Sequence, residues 1–318
     1  MVGKLTPDDI VSASTVPALL GLNPYRTQND LLKQCVEASR GEYVSDFQGN
    51  EATRWGDRLE PVVLTQAAER LELVDVELDP RVPFHHETLP LAASLDGRAF
   101  GRGELVTDTA RGIYCINADR ISIDGMGVLE CKVTRSAPEI VPPPYRGPLQ
   151  LQAQMMCTGY KWGVIATFYG GIELRLFIYR ADPVVQRRIA DAVIEFEERK
   201  KNIDWYPVIN SADGNTAYPR VDDGAPVIDL AKNADGEELL RMLVKARADK
   251  ALAELNIDEA EAGLKEIMGS HEYAEGMVGN QKYRIKWGTR TMKAKPERIM
   301  PAEPERTVRS GALNVREV

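Results

Sequence analysis

Glu130, Cys131 and Lys132 sit in the stretch GVLECKVTRS at residues 127–136. The residues around them are β-formers, and in a strand residues i and i+2 share a face. Glu130 and Lys132 therefore project to the same side. A further acid, Asp96 in SLDG at 94–97, can meet them from a neighbouring strand. Two carboxylates converging on one spot repel each other unless a cation sits between them. Asp96 and Glu130, a backbone carbonyl (Cys131 is the natural candidate) and waters form an all-oxygen donor set. Such a set suits magnesium. Lys132 beside the metal can hold the attacking water or help deprotonate it. The chemistry so assembled is phosphodiester hydrolysis. The same letters also describe a surface strand with an ordinary ion pair, which is common and weak. A second E-x-K, Glu198-Arg199-Lys200, lies in the charged stretch EFEERKKN, where a solvated helix face accounts for it.

Other metal chemistries find little support. The four cysteines, Cys35, Cys115, Cys131 and Cys157, form no C-x-x-C pair, which argues against a zinc knuckle or a short-spaced iron–sulfur site. The three histidines, His85, His86 and His271, show no metal-ligand spacing. Any metal is expected on carboxylates. No apolar run is long enough to span a membrane, and MVGKLTPDDI does not read as a signal peptide, so the expected location is cytoplasmic. Net charge is −8 over 318 residues. Its distribution is uneven: residues 281–310 hold nine Lys/Arg and three Glu, a local +6 against −14 for the remainder. A basic C-terminal segment on an acidic chain leaves room for a nucleic-acid partner.

The elements that must position these groups are readable from periodicity. SASTVPALLGLNPY reads as a helix with Ser14 as N-cap, ended at Gly21, and a second helix follows near 28–40. Residues 51–71 form an amphipathic helix with Trp55 and Leu59 on its core face and with Pro61 either kinking it or marking its first turn. LVDVELDPRVPFHH and LAASLDGRAFG read as strands, and 98–126 as hairpins. LQLQAQMMCTG is a helix with Leu149, Ala153 and Met156 on one face; GVIATFYGG and IELRLFIYR make a hairpin around Gly170-Gly171; DPVVQRRIADAVIEFEERKKNI is a further helix. The expected fold is α/β, a central mixed sheet flanked by helices, over 1–210. A polar linker is expected at 211–235 and a C-terminal extension at 236–318. That extension keeps a 3–4 apolar spacing over 236–268, as a coiled-coil-like seam or a helical hairpin turning near Asn256. KYRIKWGTRT then reads as a strand.

Several stretches match one family in order. SASTVPALLGLNPY, RWGDRLEPVV, LAASLDG, LECK and LQLQAQMMCTG resemble the serine motif, the W-G-x-x-x-E helix, the D-G and E-x-K strands and the Q-x-Q helix of the YqaJ-like viral recombinases. These are relatives of lambda exonuclease within the PD-(D/E)xK nuclease superfamily. The resemblance implies a restriction-endonuclease-like sheet. It makes Asp96 and Glu130 the main metal ligands, Glu60 an acid that assists from across the site, and Lys132 the activating lysine. It places Gln150 beside that lysine, Ser14 and Ser94 near a 5′-phosphate, and Arg135 as a phosphate-binding candidate. Leu95 stands where the superfamily has proline, and the long interval between Asp96 and Glu130 is expected to form an extra hairpin.

The activity implied is a Mg2+-dependent exonuclease, with Mn2+ able to substitute. It would degrade double-stranded DNA 5′→3′ from its ends and leave 3′ single-stranded tails for phage-type recombination. Implied partners are a single-strand annealing protein and further copies of the chain in a ring, trimer or tetramer. The setting implied is a phage or prophage gene expressed in a bacterial host. A structure-specific or repair endonuclease of the same fold, or an inactive DNA-binding module, are the alternatives.

Overall fold

The computed structural model describes residues 5–44, 49–221, 224–233 and 235–289, and the chain divides into two units, Met1–Pro219 and Arg220–Val318. In the first unit the order is β1 (Val11–Ser12), α1 (Val16–Leu19), α2 (Gln28–Ser39), α3 (Glu51–Arg70), β2 (Val74–Leu78), β3 (Phe84–His85), β4 (Leu91–Ala93) and β5 (Gly97–Gly101). Then come β6 (Glu104–Val106), β7 (Ile113–Cys115), β8 (Arg120–Ser122), β9 (Gly125–Thr134), α4 (Pro148–Thr158), β10 (Trp162–Tyr169), β11 (Glu173–Arg180), α5 (Pro183–Asn202) and α6 (Ser211–Ala217).

A six-stranded sheet, in the order β2-β5-β9-β10-β11-β7, carries the core. It is mixed: β9 runs parallel to β10 and β11 parallel to β7, while the other pairs are antiparallel. All but one residue of β10 is buried, as its unbroken apolar run requires of a strand covered on both faces. On one face α3 packs Val63, Leu64 and Ala67 against Leu129, Cys131, Val164 and Ala166. On the other α4 packs Leu151 and Met155 against Val128, Ile165 and Phe177. The opposite flank of α4, through Leu149 and Ala153, meets a second apolar cluster that holds Leu31, Leu32, Leu91 and Phe196. That cluster takes in strands of a small sheet ordered β1-β4-β3.

The hairpin around Gly170-Gly171 forms, with Tyr169 opposite Glu173 across a three-residue loop, Gly170 to Ile172, in which both glycines take the positive φ (58° and 78°) that favours glycine. The interval between Asp96 and Glu130 holds an added two-stranded sheet, β6 with β8, and sends β7 to the far edge of the main sheet.

Four expectations differ. Trp55 is not core but half exposed, at 50%; it lies in the first turns of α3, ahead of the residues that reach the sheet. Pro61 lies inside α3, which runs unbroken through it. There it removes one backbone donor and crowds the carbonyl of Asp57, a cost of about 3 kcal/mol that the packing of α3 on the sheet has to offset. Part of the expected linker is α6, whose Asp213 is buried and accepts hydrogen bonds from Thr27 Oγ1 (2.6 Å) and Asn29 Nδ2 (3.1 Å). Within the second unit, residues 236–268 form one helix, α7 (Gly236–Met268), with no turn at Asn256. A hairpin of β12 (Tyr273–Val278) and β13 (Gln281–Lys286) follows. The part of the expected strand and basic segment from residue 290 on lies outside the described residues.

Trp162 is fully buried, its indole donates to the Gly125 carbonyl (3.1 Å), and a Cβ at Gly127 would overlap its ring. Gly127→Ala is expected to destabilise the protein by about 1–3 kcal/mol, the usual cost of overpacking a core. Thermal or denaturant unfolding followed by tryptophan fluorescence measures it.

Candidate active site

The two-residue period of β9 sorts its side chains. Leu129 and Cys131 turn to the α3 side, whereas Val128 turns to the α4 side. Glu130 and Lys132 follow Val128 and meet α4. The side chain of Glu130 is 1% exposed. Burying a carboxylate costs several kcal/mol unless donors replace its water, and the fold supplies two. Lys132 Nζ donates to Glu130 Oε1 at 2.5 Å, and Gln154 Nε2 donates to Glu130 Oε2 at 2.6 Å. Gln154 also donates to the Ser94 carbonyl at 3.1 Å, tying α4 to the segment before β5. Lys132 Nζ in turn donates to Gln150 Oε1 at 3.1 Å. Gln150 and Gln154 are one helical turn apart, so both fall on the same stripe of α4.

Asp96 lies just before β5. Its Oδ2 accepts from the Cys131 backbone N–H at 2.8 Å. The register of β5 against β9 ends at the pair Gly97–Leu129, so beyond it the edge of β9 is open at Cys131. A strand residue turns its N–H and C=O to the same edge. The Cys131 carbonyl therefore faces the gap occupied by Asp96. The Cys131 side chain points the other way, and burial and the nearby carboxylates push its thiol up, which makes it a poor metal thiolate.

The acids of the site crowd one another. Burial and then Glu130 hold Asp96 well above the usual carboxylate range. Glu60, on α3, is raised to about 7 by burial, then by Glu130, Asp57 and Asp79. Lys132 is the cation among them. Burial lowers its pKa, but Glu130 and Asp96 outweigh that and raise it, so it stays charged. Three carboxylates around one ammonium leave uncompensated negative charge. The donors Asp96, Glu130, Glu60 and the Cys131 carbonyl are all hard oxygens of the kind magnesium or manganese takes. Gln154 Oε1 is also buried there with no hydrogen-bond partner. The donor chemistry fits a divalent cation. Among the described residues, however, no group of three His, Cys, Asp or Glu side chains stands ready as a closed cage: Lys132 occupies one Glu130 oxygen and the Cys131 N–H one Asp96 oxygen.

The structure thus brings Asp96, Glu130, Lys132 and Gln150 into one network, with Glu60 close enough to be raised by Glu130. The side chains of the other sequence candidates take no part in these hydrogen bonds. Ser94 contributes its backbone carbonyl. Ser14 is not the expected N-cap. It lies in a single helical turn, Ala13–Thr15, capped by Ser12, whose N–H donates to Thr15 Oγ1 at 3.1 Å, and its hydroxyl pairs with that of Ser12. Arg135 is exposed just past β9. The sequence reading missed Gln154; its one signal was its place four residues after Gln150.

Glu60 links stability to pH. With a folded pKa near 7 against an ordinary value of 4.5, the folded state binds this proton more tightly than the unfolded chain. Metal-free protein therefore loses stability as pH rises through that window and carries the full deficit above it. Glu60→Gln removes the titration. Metal-free Glu60→Gln is expected to melt above wild type at pH 8, with the difference gone by pH 4, as calorimetry in chelator reads out. Gln154→Leu leaves Glu130 Oε2 buried without its donor and is expected to cost about 1–3 kcal/mol, measured by urea unfolding.

The model of the YqaJ-like viral recombinase domain matches residues 7–161. No curated protein matches the chain. Among solved structures, an alkaline exonuclease from Laribacter hongkongensis, also solved in complex with dAMP, is 18% identical, with 62% of this chain and 90% of that one covered at a TM-score of 0.46. A phage-related exonuclease from Haemophilus somnus is 10% identical over 61% of this chain and 94% of that one, with a TM-score of 0.42. The stretch that brings Glu60, Asp96, Glu130, Lys132 and Gln150 together lies wholly inside residues 7–161, the part of the chain that is similar to the YqaJ-like viral recombinase domain.

Proposed function

We propose that the protein is a metal-dependent nuclease, and specifically a Mg2+-dependent exonuclease that degrades duplex DNA 5′→3′ and leaves 3′ single-stranded tails. The observation that carries this reading is the buried Glu130 held between Lys132 and Gln154, with Asp96 fixed on the adjacent backbone. The YqaJ-like domain supports the nuclease class, and the solved structures it is similar to include proteins named as exonucleases. Asp96, Glu130, the Cys131 carbonyl and Glu60 would hold Mg2+, or Mn2+ in its place. Once bound, the cation lowers the pKa of a water and neutralises charge on the scissile phosphate. Lys132 is kept charged by its neighbours, so its part is to donate a hydrogen bond to the attacking water and orient it. Gln150 fixes the ammonium by accepting from it. Water adds to phosphorus and gives up one proton to solvent, the P–O bond to the leaving sugar oxygen breaks, and a proton from solvent completes that hydroxyl. In this reading Ser14, Ser94 and Arg135 contact the DNA backbone near a 5′-phosphate. A single-strand annealing protein takes up the tails, and several copies surround the duplex.

Linear duplex labelled at either end, with 5′-phosphate or 5′-hydroxyl termini, tests the reading. Shortening from the 5′ end in magnesium, loss of activity in chelator and an untouched closed circle are expected. Cutting of the circle would make the enzyme an endonuclease, and intact linear duplex would exclude nuclease action. Lys132→Ala is expected to slow the rate by roughly a hundredfold or more, the usual weight of one preorganised hydrogen-bond donor at the reacting centre.

A further inference from the structure

The 33-residue helix α7 leaves large apolar side chains in water, among them Leu239 (62% exposed), Ile257 (58%) and Ile267 (83%). At 1.5 Å per residue it is about 50 Å long. Leu240, Met242, Val244, Leu252 and Leu255 are exposed elsewhere on the helix, but part of its apolar set forms a regular stripe. Leu239, Ala246, Ala253, Ala260 and Ile267 recur every seven residues, and Leu243, Lys250, Ile257 and Leu264 recur every seven between them. The two series interleave by alternating steps of four and three, the 3.5-residue repeat of a two-helix seam. A lone helix in water gains nothing from such a stripe, and the described residues of this unit do not cover it.

Charge and size select the occupant. In a parallel, in-register pair each seam position faces itself. Lys250 would then lie against Lys250 of a second copy, and Asp249 would flank Glu254 of that copy, like charge against like. Turned antiparallel with Lys250 opposite Ala253, the same helix complements itself. Leu243 meets Ala260, and Ala246 meets Ile257, so each small side chain faces a longer one, and Leu239 faces Leu264 at either end. Beside the seam, Arg247 comes against Glu254 of the second copy, and the reciprocal pair forms by symmetry. The alanines let the two backbones approach closely, and Lys250 lies over the smallest residue of the seam with Glu254 within reach. We infer that α7 is a self-complementary antiparallel dimerisation helix whose partner is α7 of a second copy, in the register that places Lys250 opposite Ala253.

Cysteines placed at Ala246 and Ile257 of the full chain read this directly, because both sites are exposed on α7 and touch no core. The single variants Ala246→Cys and Ile257→Cys are oxidised mildly, alone and as an equimolar mixture, with the wild-type chain and its own four cysteines as background. Two thiols lose their hydrogens to the oxidant and one interchain S–S bond forms. The mixture is expected to give severalfold more cross-linked dimer than either variant alone on a non-reducing gel. Arg247→Glu should cut that yield severalfold, and Arg247→Glu with Glu254→Arg should restore it. Equal cross-linking by either variant alone would mean a parallel pair and overturn the proposal. A mixture no better than wild type would show that a second copy of α7 does not cover the stripe and overturn it equally.

Discussion

The site depends on one buried carboxylate. Glu130 points into the seam between β9 and α4 because the strand alternation that buries Leu129 on one face must turn its neighbour to the other. A carboxylate there has lost its water and survives only if donors replace it. Lys132 is two residues on and therefore on the same side. Gln154 reaches in from the helix that packs over the strand. Each restrains the others: Gln154 holds Glu130 and also the carbonyl before β5, and Gln150 accepts from Lys132. The helix α4 is accordingly not interchangeable with any apolar helix. Its Leu151 and Met155 fill the sheet face, its Leu149 and Ala153 fill the outer layer, and the remaining stripe carries amides because charge lies beneath it.

The parts legible in the sequence were those set by local period. Glu130 and Lys132 on one face follow from a two-residue repeat, and the turn at Gly170-Gly171 follows from the positive φ such hairpins need. The parts that were not legible depend on where an element ends relative to its neighbour. Trp55 sits at helical spacing with Leu59 and Val63, yet α3 extends past the sheet at that end, so the tryptophan meets solvent. Ser12 and Ser14 are equally good caps by type, and only the chain path decides for Ser12. The polar stretch that holds α6 looks like a tether, but Asp213 finds Thr27 and Asn29 186 and 184 residues away in sequence. Gln154 was illegible for another reason: an amide carries no signature of its own, and its role appears only when the carboxylate it serves is located.

In the second unit the same distinction holds. The apolar spacing along 236–268 is common to a straight helix, a helical hairpin and a coiled coil, because all three repeat within a turn of one another. Asn256 offered a break, but a single asparagine costs a helix only a fraction of a kcal/mol, and the flanking residues are good helix formers. The helix therefore runs through.

The electrostatics of the first unit also explain why such a site does not relax into an inert core. Glu60, Asp96 and Glu130 share one ammonium, and two of the three are pushed toward protonation. Replacing a buried charged cluster by apolar groups of similar shape is often neutral or stabilising, so the folded chain gains nothing from keeping the crowding. The compensation has to come from something that binds the crowded acids. In the proposed function a divalent cation would do so, with oxygen donors lying along one strand edge at Asp96 and the Cys131 carbonyl, and the repulsion between the acids would become affinity for the ion. Stability of the empty protein and strength of metal binding are, on these terms, two readings of one charge imbalance, and any substitution that relieves the first weakens the second.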